Sequence, residues 1–374
     1  MSEPEVADQA ASHADGRWWT VDPLILLPHQ GRVRLMSPRA DRRVVVTSEI
    51  AQFLLLAQTG YPADPPEPPF DWSPRRYLAV TRTLASYGYL VGDPDSASAK
   101  PDTPWRYWGP LAWAYHQEVT NPPRAGMGTS GGRREESRPS SFRPSTDEIL
   151  LLPRLSPRTD KGFIEVLEQR RTHRDFLPEP VALDAFSDIL RYSFGPLRFV
   201  DGGPLGVLQL RAAASGGARH ETEAYVYVFD VDSVRPGLYA YDGLRHGLVP
   251  VRSGDLRDEV ERLTVDQGFF RRAAFGVVTV AMSDRMSWKY QNPGAYRVLW
   301  QNVGHLAQVF SLMCASVDLG ASLTGAIRVG EARACLGLRA PSEIVTLAMA
   351  CGRPELADDG LPTSIRTPDV PFRP

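Results

Sequence analysis

An ionisable pair between aromatic residues is the strongest chemical signal in this sequence. Lys289 and Tyr290 directly follow Trp288, and Tyr296 and Arg297 open the apolar segment that comes next. Taken alone, such a pair is most simply two surface side chains whose apolar stems lie on a neighbouring helix. Nearby positive charge and aromatic burial both disfavour the ammonium form of Lys289, which would suit it to accept a proton. Lys289 and Tyr290 are therefore alternative candidates for a base, and the motifs that accompany them decide between the two interpretations.

An arginine cluster gives a second signal. Arg170, Arg171, Thr172, His173 and Arg174 stand in one run after a predicted helix. Arginine offers fixed pairs of N–H donors that match a phosphate, and a hydroxyl adds another polar contact. A run of this kind is more often a solvated basic turn when nothing accompanies it. The residue types suit a phosphate site, and the motifs around the run decide between the two interpretations.

A glycine turn gives a third signal. Ser215, Gly216 and Gly217 follow an apolar strand about forty residues after the arginine cluster. Paired glycines allow a backbone to approach a flat ring closely, and the serine hydroxyl adds a polar group. Alone, the segment would be only a turn.

Together these motifs resemble the flavin-binding nitroreductase superfamily, and specifically its SagB-type branch. The family pattern Arg-Arg-Ser-x-Arg is present with Thr172 in place of Ser. The pattern Pro-Ser-Gly-Gly-x-x-His-Pro keeps His220 but has Ala214 and Glu221 in place of the two prolines. The Trp-Lys-Tyr segment and the stretch that begins at Gly237 mark the branch. Its members are FMN-dependent dehydrogenases that oxidise azoline rings in ribosomally made peptides to thiazoles and oxazoles.

The resemblance implies bound FMN and identifies further contacts to it. The arginine cluster, Arg171 included, would hold the phosphate and the ribityl chain, with Arg170, Thr172 and Arg174 as the phosphate contacts. Thr324, Gly325 and Ala326 lie where family members place backbone amides against the flavin, and such donors stabilise its reduced form. The family usually has a basic residue after the final strand. Arg353 and Arg366 are the candidates here, and Arg366 is favoured as the last phosphate contact.

The resemblance also implies partners. In the family, the helix predicted over 298–319 builds an intertwined homodimer, with FMN at the boundary between subunits. The substrate would be a modified precursor peptide, and a cyclodehydratase is a candidate partner.

The elements that must position these motifs predict an α+β fold. Apolar periodicity predicts a main domain over 147–374, in which helices alternate with strands. The resemblance implies a nitroreductase-like mixed sheet sandwiched by helices. Strands are predicted at 207–213, 224–230, 237–241, 276–281 and 343–350. Helices are predicted at 163–169, 183–192, 256–263, 298–319 and 330–336.

The N-terminal part predicts a separate, smaller domain. Residues 1–17 are predicted to be a disordered tail, and 18–120 a small winged-helix-like domain that ends in an aromatic segment. Its predicted strands are 24–27, 32–36, 43–46 and 89–91, and its helices are 49–58 and 74–87. Residues 121–146 carry almost no apolar side chains and are predicted to be a flexible linker. The small domain resembles leader-peptide-recognition modules, and it could equally be a bracing domain.

Composition excludes several classes of function. The 374 residues have a formal net charge of −2, so no overall field attracts nucleic acid or an anionic membrane. No apolar run reaches the ~20 residues of a membrane span. The N-terminus has neither the basic start nor the apolar core of a signal peptide, so we expect a cytoplasmic protein. The three cysteines have no metal-binding spacing, and no metal is predicted.

The leading hypothesis from the sequence is an FMN-dependent azoline dehydrogenase of peptide biosynthesis. One alternative is a flavin nitro- or quinone reductase that uses NAD(P)H. A second alternative is a non-catalytic scaffold of a peptide-modifying complex.

Overall fold

The computed structural model describes residues 16–40, 43–99, 105–120, 138–142, 148–154, 159–358 and 360–363. The chain divides into two compact units, Met1–Pro122 and Pro123–Pro374. Residues 1–15 of the predicted tail, most of the predicted linker and Arg366 lie outside the described residues.

The first unit combines two small antiparallel sheets with helices. One sheet has the order β2-β3-β4 and the other β5-β1-β6. The elements are β1 (Arg17–Thr20), β2 (Ile25–His29), β3 (Arg32–Met36), β4 (Val44–Val46), α1 (Ser48–Leu56), β5 (Tyr61–Pro62), α2 (Pro74–Ser86), β6 (Leu90–Val91), α3 (Pro94–Ser98) and α4 (Trp105–Thr120). The hydroxyl of Ser73 accepts the Arg76 N–H at the start of α2, and proline fills the first helical position. β1 was not predicted from the sequence.

The second unit is built on a seven-stranded sheet of order β14-β15-β13-β10-β11-β12-β7. Its strands are β7 (Leu150–Leu151), β8 (Arg198–Asp201), β9 (Val207–Leu210), β10 (Thr222–Val228), β11 (Gly237–Asp242), β12 (Gly247–Ser253), β13 (Phe275–Met282), β14 (Gly320–Thr324) and β15 (Glu343–Gly352). Its helices are α5 (Phe163–Gln169), α6 (Leu183–Phe194), α7 (Arg257–Leu263), α8 (Phe269–Arg272), α9 (Ser283–Ser287), α10 (Gly294–Ser316) and α11 (Val329–Cys335). β8 and β9 form a separate hairpin.

The large sheet has helices on both faces. In β10, Val226 and Val228 join a core with α6 and α10, whereas Tyr225 and Tyr227 join another core with α7, α8 and α11. Alternate residues of a strand point to opposite faces, so β10 serves both cores. The strand ladders of this sheet are antiparallel, and Thr172 adds a parallel bridge to Ala321 at its β14 edge. The predicted α+β fold, a mixed sheet sandwiched by helices, is confirmed.

The structure corrects some predicted boundaries. The long helix α10 begins at Gly294 and ends at Ser316, so it starts and stops earlier than predicted. Gly320–Thr324, for which no strand was predicted, is the edge strand β14. Its small residues give no alternating apolar pattern, and its hydrogen bonds to β15 make it a strand. β12 was missed because Pro250 interrupts its pattern, as proline does in most strands.

Candidate flavin and catalytic site

The predicted base pair meets the predicted glycine turn. Lys289 and Tyr290 follow α9, and the backbone N–H groups of both donate to the Met286 carbonyl, at 3.1 and 2.8 Å. Their side chains end against Gly217, where an added Cβ would overlap Tyr290 Oη and lie 2.5 Å from Lys289 Nζ. Lys289 Nζ also lies 5.1 Å from the centre of the Tyr290 ring. Two motifs separated by about seventy residues in sequence thus form one site.

The glycine turn packs tightly against the first half of α10. A Cβ on Gly216 would lie 2.6 Å from Val298 Cγ1, so only glycine fits beside the helix. The turn then runs through left-handed backbone, with φ of 62° at Gly217, 53° at Ala218 and 43° at His220. Glycine adopts such angles freely, whereas the other two residues need neighbours to hold them there.

Hydrogen bonds that lead to the buried side chains of Asn302 and Glu221 hold this turn. The Gly216 N–H donates to Asn302 Oδ1 at 3.0 Å, and the His220 N–H donates to Ser215 Oγ at 2.9 Å. Asn302 Nδ2 donates to the Glu221 carboxylate at 3.0 Å, and the Ser215 hydroxyl donates to it at 3.4 Å. Glu221 is fully buried, and this burial raises its pKa.

Glu221 and Asn302 were not predicted as site residues. The sequence did show a Glu in place of a proline, but not that its side chain is buried. Asn302 also had a usable signal, because it lies among Leu299, Val303 and Leu306 on the core-facing side of a helix. A polar residue there must find hydrogen-bonding partners inside the protein.

Buried arginines surround the same region. Arg285 forms an ion pair with Glu223, and its Nε donates to the Ser140 carbonyl at 2.8 Å. Burial, and then the charge of Arg285, lowers the pKa of Arg211 to about 10. Arg219 lies 5.5 Å from the centre of the Trp288 ring. Several arginines thus lie around the glycine turn and the buried Glu221.

The arginine cluster lies at the edge strand of the sheet. Its His173 N–H donates to the Ala321 carbonyl at 2.9 Å, beside the bridge from Thr172. Arg171 and His173 line a cavity of about 770 Å³. Burial, then the charge of Arg170 and then that of Arg171, lowers the pKa of His173, so both guanidinium groups lie near this imidazole.

The arginine cluster carries donors that fit a phosphate. Neither Arg170 nor Arg174 forms an ion pair or a side-chain hydrogen bond with any residue in the described part of the chain. Two guanidinium groups without a described acceptor, beside a hydroxyl, are the donors that a phosphate needs. Arg353 is paired with Glu179 at 2.8 Å, whereas Arg366 lies outside the described residues.

The turn after β14 leaves one backbone donor open. Thr324 Oγ1 accepts the Ala326 N–H at 3.1 Å and the Gln267 side-chain amide at 3.0 Å. The Gly325 N–H has no hydrogen-bond acceptor among the described residues. Of the three predicted positions, Gly325 is therefore the one whose amide can meet a ligand.

The two groups of predicted site residues lie towards opposite ends of α10. The glycine turn contacts Val298, and the arginine cluster contacts Ala321, just beyond the end of the helix. At 1.5 Å per residue, Val298 and Ser316 are roughly 27 Å apart along the helix axis. Thr324–Ala326 belongs with the arginine cluster, because β14 carries both. Within one chain, the predicted site residues thus form two separate groups, called half-sites below. One is the glycine turn with Lys289 and Tyr290, and the other is the arginine cluster with Thr324–Ala326.

Comparison with known proteins identifies the family. A model of the nitroreductase family matches residues 167–353, which is half of the chain. The chain belongs to the nitroreductase family. The match begins in α5 and ends just after β15, so it includes both half-sites.

Individual relatives resemble the same part of the chain. A protein of Methanocaldococcus jannaschii named as a nitroreductase is 30% identical over 189 residues, which are 50% of this chain and 89% of that protein. The trifolitoxin-processing protein TfxB of Rhizobium leguminosarum bv. trifolii is 29% identical over 183 residues. This match spans 46% of this chain and about half, 48%, of TfxB. A solved nitroreductase structure from Ralstonia eutropha is 26% identical, has a TM-score of 0.46 and covers 57% of this chain and 93% of that one.

Two other features are absent from the described residues. None of their helices combines the length and the apolar character that a membrane crossing requires. Nor do they contain a group of three or more His, Cys, Asp or Glu side chains that could hold a metal ion.

His220 provides a pH-dependent test of this packing. Burial, followed by the charge of Arg211, lowers the pKa of His220 to about 3, whereas an unfolded His titrates near 6.5. The unfolded chain binds more protons between these values, so stability falls as the pH falls below about 6.5. Between pH 7 and 5, the wild-type chain should lose on the order of 2 kcal/mol more unfolding free energy than His220→Gln, measured with urea. Equal losses in the two proteins would contradict a buried, neutral His220.

Proposed function

We propose that this protein is an FMN-dependent dehydrogenase that oxidises azoline rings to azoles in a ribosomally made precursor peptide. The observation that carries the proposal is the convergence of Lys289 and Tyr290 on the glycine turn. Similarity to a trifolitoxin-processing protein supports a peptide as the substrate. Family membership supports a flavin-dependent oxidoreductase.

FMN fits the donors that the chain offers. Arg170, Thr172 and Arg174 would hold its phosphate, and Gly325 would offer an N–H donor to the ring. In the described part of this region we find no Gly-x-Gly-x-x-Gly turn after a strand, which favours FMN over a dinucleotide. When bound, FMN supplies the acceptor for the hydride that leaves the azoline ring.

The chain itself supplies the base. Oxidation of an azoline removes a hydride from one ring carbon and a proton from the α-carbon. Lys289 Nζ or Tyr290 Oη would take that proton, because both atoms end at the turn that faces the proposed flavin site. Molecular oxygen is the oxidant that we propose for restoring the cofactor.

A homodimer would complete the site. Because the two half-sites lie towards opposite ends of α10, we propose that each FMN is held by the arginine cluster of one chain and the glycine turn of its partner. The surface of α5, which packs beside α10, supports this arrangement. Phe163 is 70% exposed and Ile164 is 64% exposed there, which is more apolar surface than an isolated protomer favours.

The remaining partners follow from the proposed substrate. A cyclodehydratase would form the azoline rings before this protein oxidises them, and both would work in the cytoplasm. The N-terminal unit is a candidate leader-peptide module, with bracing as its alternative role. A second function, an NAD(P)H-linked reductase, is favoured by the M. jannaschii relative, which bears the name nitroreductase.

Substitution of the proposed bases tests the activity. Lys289→Ala and Tyr290→Phe should each slow flavin reduction by an azoline peptide by about 10²–10⁴-fold, the usual contribution of a general base. The measurement is stopped-flow absorbance of the flavin under anaerobic conditions. FMN content should stay near wild type, because neither side chain is assigned to the cofactor.

The contrary outcome is equally clear. If the double variant Lys289→Ala/Tyr290→Phe reduces its flavin at the wild-type rate, the proposed mechanism is wrong. Rapid reduction of the wild-type protein by NAD(P)H, with none by the peptide, would favour the reductase.

The arginine cluster provides a matched pair of variants. Arg174→Ala should weaken FMN binding by about 1–3 kcal/mol, the cost of losing a charge-assisted contact. Arg171→Ala removes the same charge, but the Arg171 guanidinium already donates to the Arg170 carbonyl at 2.9 Å, so its loss should leave the affinity within a few-fold of wild type. Titration of apoprotein with FMN, followed by fluorescence quenching, measures both. Equal losses would contradict the proposed phosphate contacts, and mass spectrometry should identify the released flavin as FMN.

Complementation tests the shared site. Arg170→Ala/Arg174→Ala disables one half-site, and Lys289→Ala disables the other. A mixed dimer of the two variants would contain one intact site, so a co-refolded mixture should recover up to about a quarter of wild-type activity, on random pairing of equal chains. Light scattering should show a dimer. A mixture as inactive as its parents would place the whole site within one chain.

A further inference from the structure

Glu221 and Asn302 form an acid–amide pair beneath the glycine turn. Both are buried, at 0% and 5% exposure, and their side chains contact each other at 3.0 and 3.3 Å. Glu221 stands at the start of β10, and Asn302 lies in α10. The pair therefore joins the turn, the sheet and the long helix.

Glu221 determines which way the Asn302 amide faces. An ionised carboxylate only accepts hydrogen bonds, so it requires the NH₂ group of Asn302 to point towards it. The Asn302 oxygen must then point the other way, where it accepts the Gly216 N–H at 3.0 Å. A reversed amide would bring its NH₂ group against the Gly216 N–H, and two donors cannot bond to each other.

Glu221 also determines the direction of the Ser215 hydroxyl. That hydroxyl donates to the carboxylate at 3.4 Å, and its oxygen accepts the His220 N–H at 2.9 Å. One chain of hydrogen bonds runs from the Gly216 N–H through Asn302, and the other runs from the His220 N–H through Ser215. Both chains therefore end on Glu221. The side chains facing this carboxylate are Ser215, Asn302 and, at longer range, Arg211.

We propose that Glu221 is a positioning residue, which acts through Asn302 to fix the Gly216–Gly217 turn against the flavin and against Lys289 and Tyr290. The Gly216 N–H belongs to the residue just before the one that Lys289 and Tyr290 touch. Loss of its acceptor would free the turn to move relative to both side chains. This inference rests on the proposed function only in the measurements that use bound flavin as a probe of the turn.

An exchange of acid and amide tests the pair in the full-length protein. Glu221→Gln leaves one acceptor oxygen for two donors, the Asn302 NH₂ group and the Ser215 hydroxyl, and Asn302→Asp places two acids together, so either variant disrupts a hydrogen-bond chain that ends on position 221. The double variant Glu221→Gln/Asn302→Asp restores one acid and one amide. In it, the new carboxylate at position 302 can accept both the Gly216 N–H and the NH₂ group of the new amide at position 221. The oxygen of that amide can still accept the Ser215 hydroxyl.

The expected result is a loss in each single variant and recovery in the double variant. Each single variant should bind FMN about 5- to 100-fold more weakly, the effect of leaving a buried donor or acceptor unsatisfied. The double variant should return to within about three-fold of wild type. The readouts are the FMN dissociation constant, the visible circular dichroism of the bound flavin and hydrogen exchange of the segment 212–221.

The outcomes separate this inference from the proposed function. Single variants that match wild type, or a double variant whose losses simply add, would overturn the role of Glu221. A wild-type protein that binds no FMN would overturn the proposed function. Hydrogen exchange in the segment 212–221 would still decide the inference, because protection there should fall in each single variant and return in the double variant.

Discussion

A peptide N–H that is removed from water must find an acceptor inside the protein, and at Gly216 that acceptor is supplied by Asn302. The geometry around the proposed bases depends on this one bond. It joins the turn before β10 to the helix α10, which also forms part of the core through Leu306 and Phe310. The position of the glycine turn is thus tied to the packing of the second unit.

The sequence predicted the fold well where apolar spacing was regular. α5 has the predicted bounds, and β10, β13 and β15 lie within two residues of theirs. β10, β13 and β15 are mostly apolar runs that become mostly buried strands, so local pattern and final structure agree. β14 differs because it is held by hydrogen bonds to a neighbouring strand, which leave no trace in its own residues.

The candidate site was predictable in its parts but not in its arrangement. The sequence identified the arginine cluster, the glycine turn and the Lys289–Tyr290 pair as separate motifs. It could not show which of them meet, because their contacts depend on the length and direction of α10. Nor could it show that the arginine cluster lies at the edge strand, since that follows from the bridge between Thr172 and Ala321. The buried charge of Glu221 was invisible because burial is a property of the folded chain.

The separation of the half-sites along α10 has a consequence for mass action. In the proposed dimer, a flavin that touches both chains stabilises their association, and association raises the affinity for the flavin by the same factor. Cofactor retention would then depend on protein concentration as well as on the contacts of any one side chain. Dilution would release cofactor from an otherwise intact protein. A cell could thus keep newly made, still scarce chains without cofactor until enough copies are present to pair.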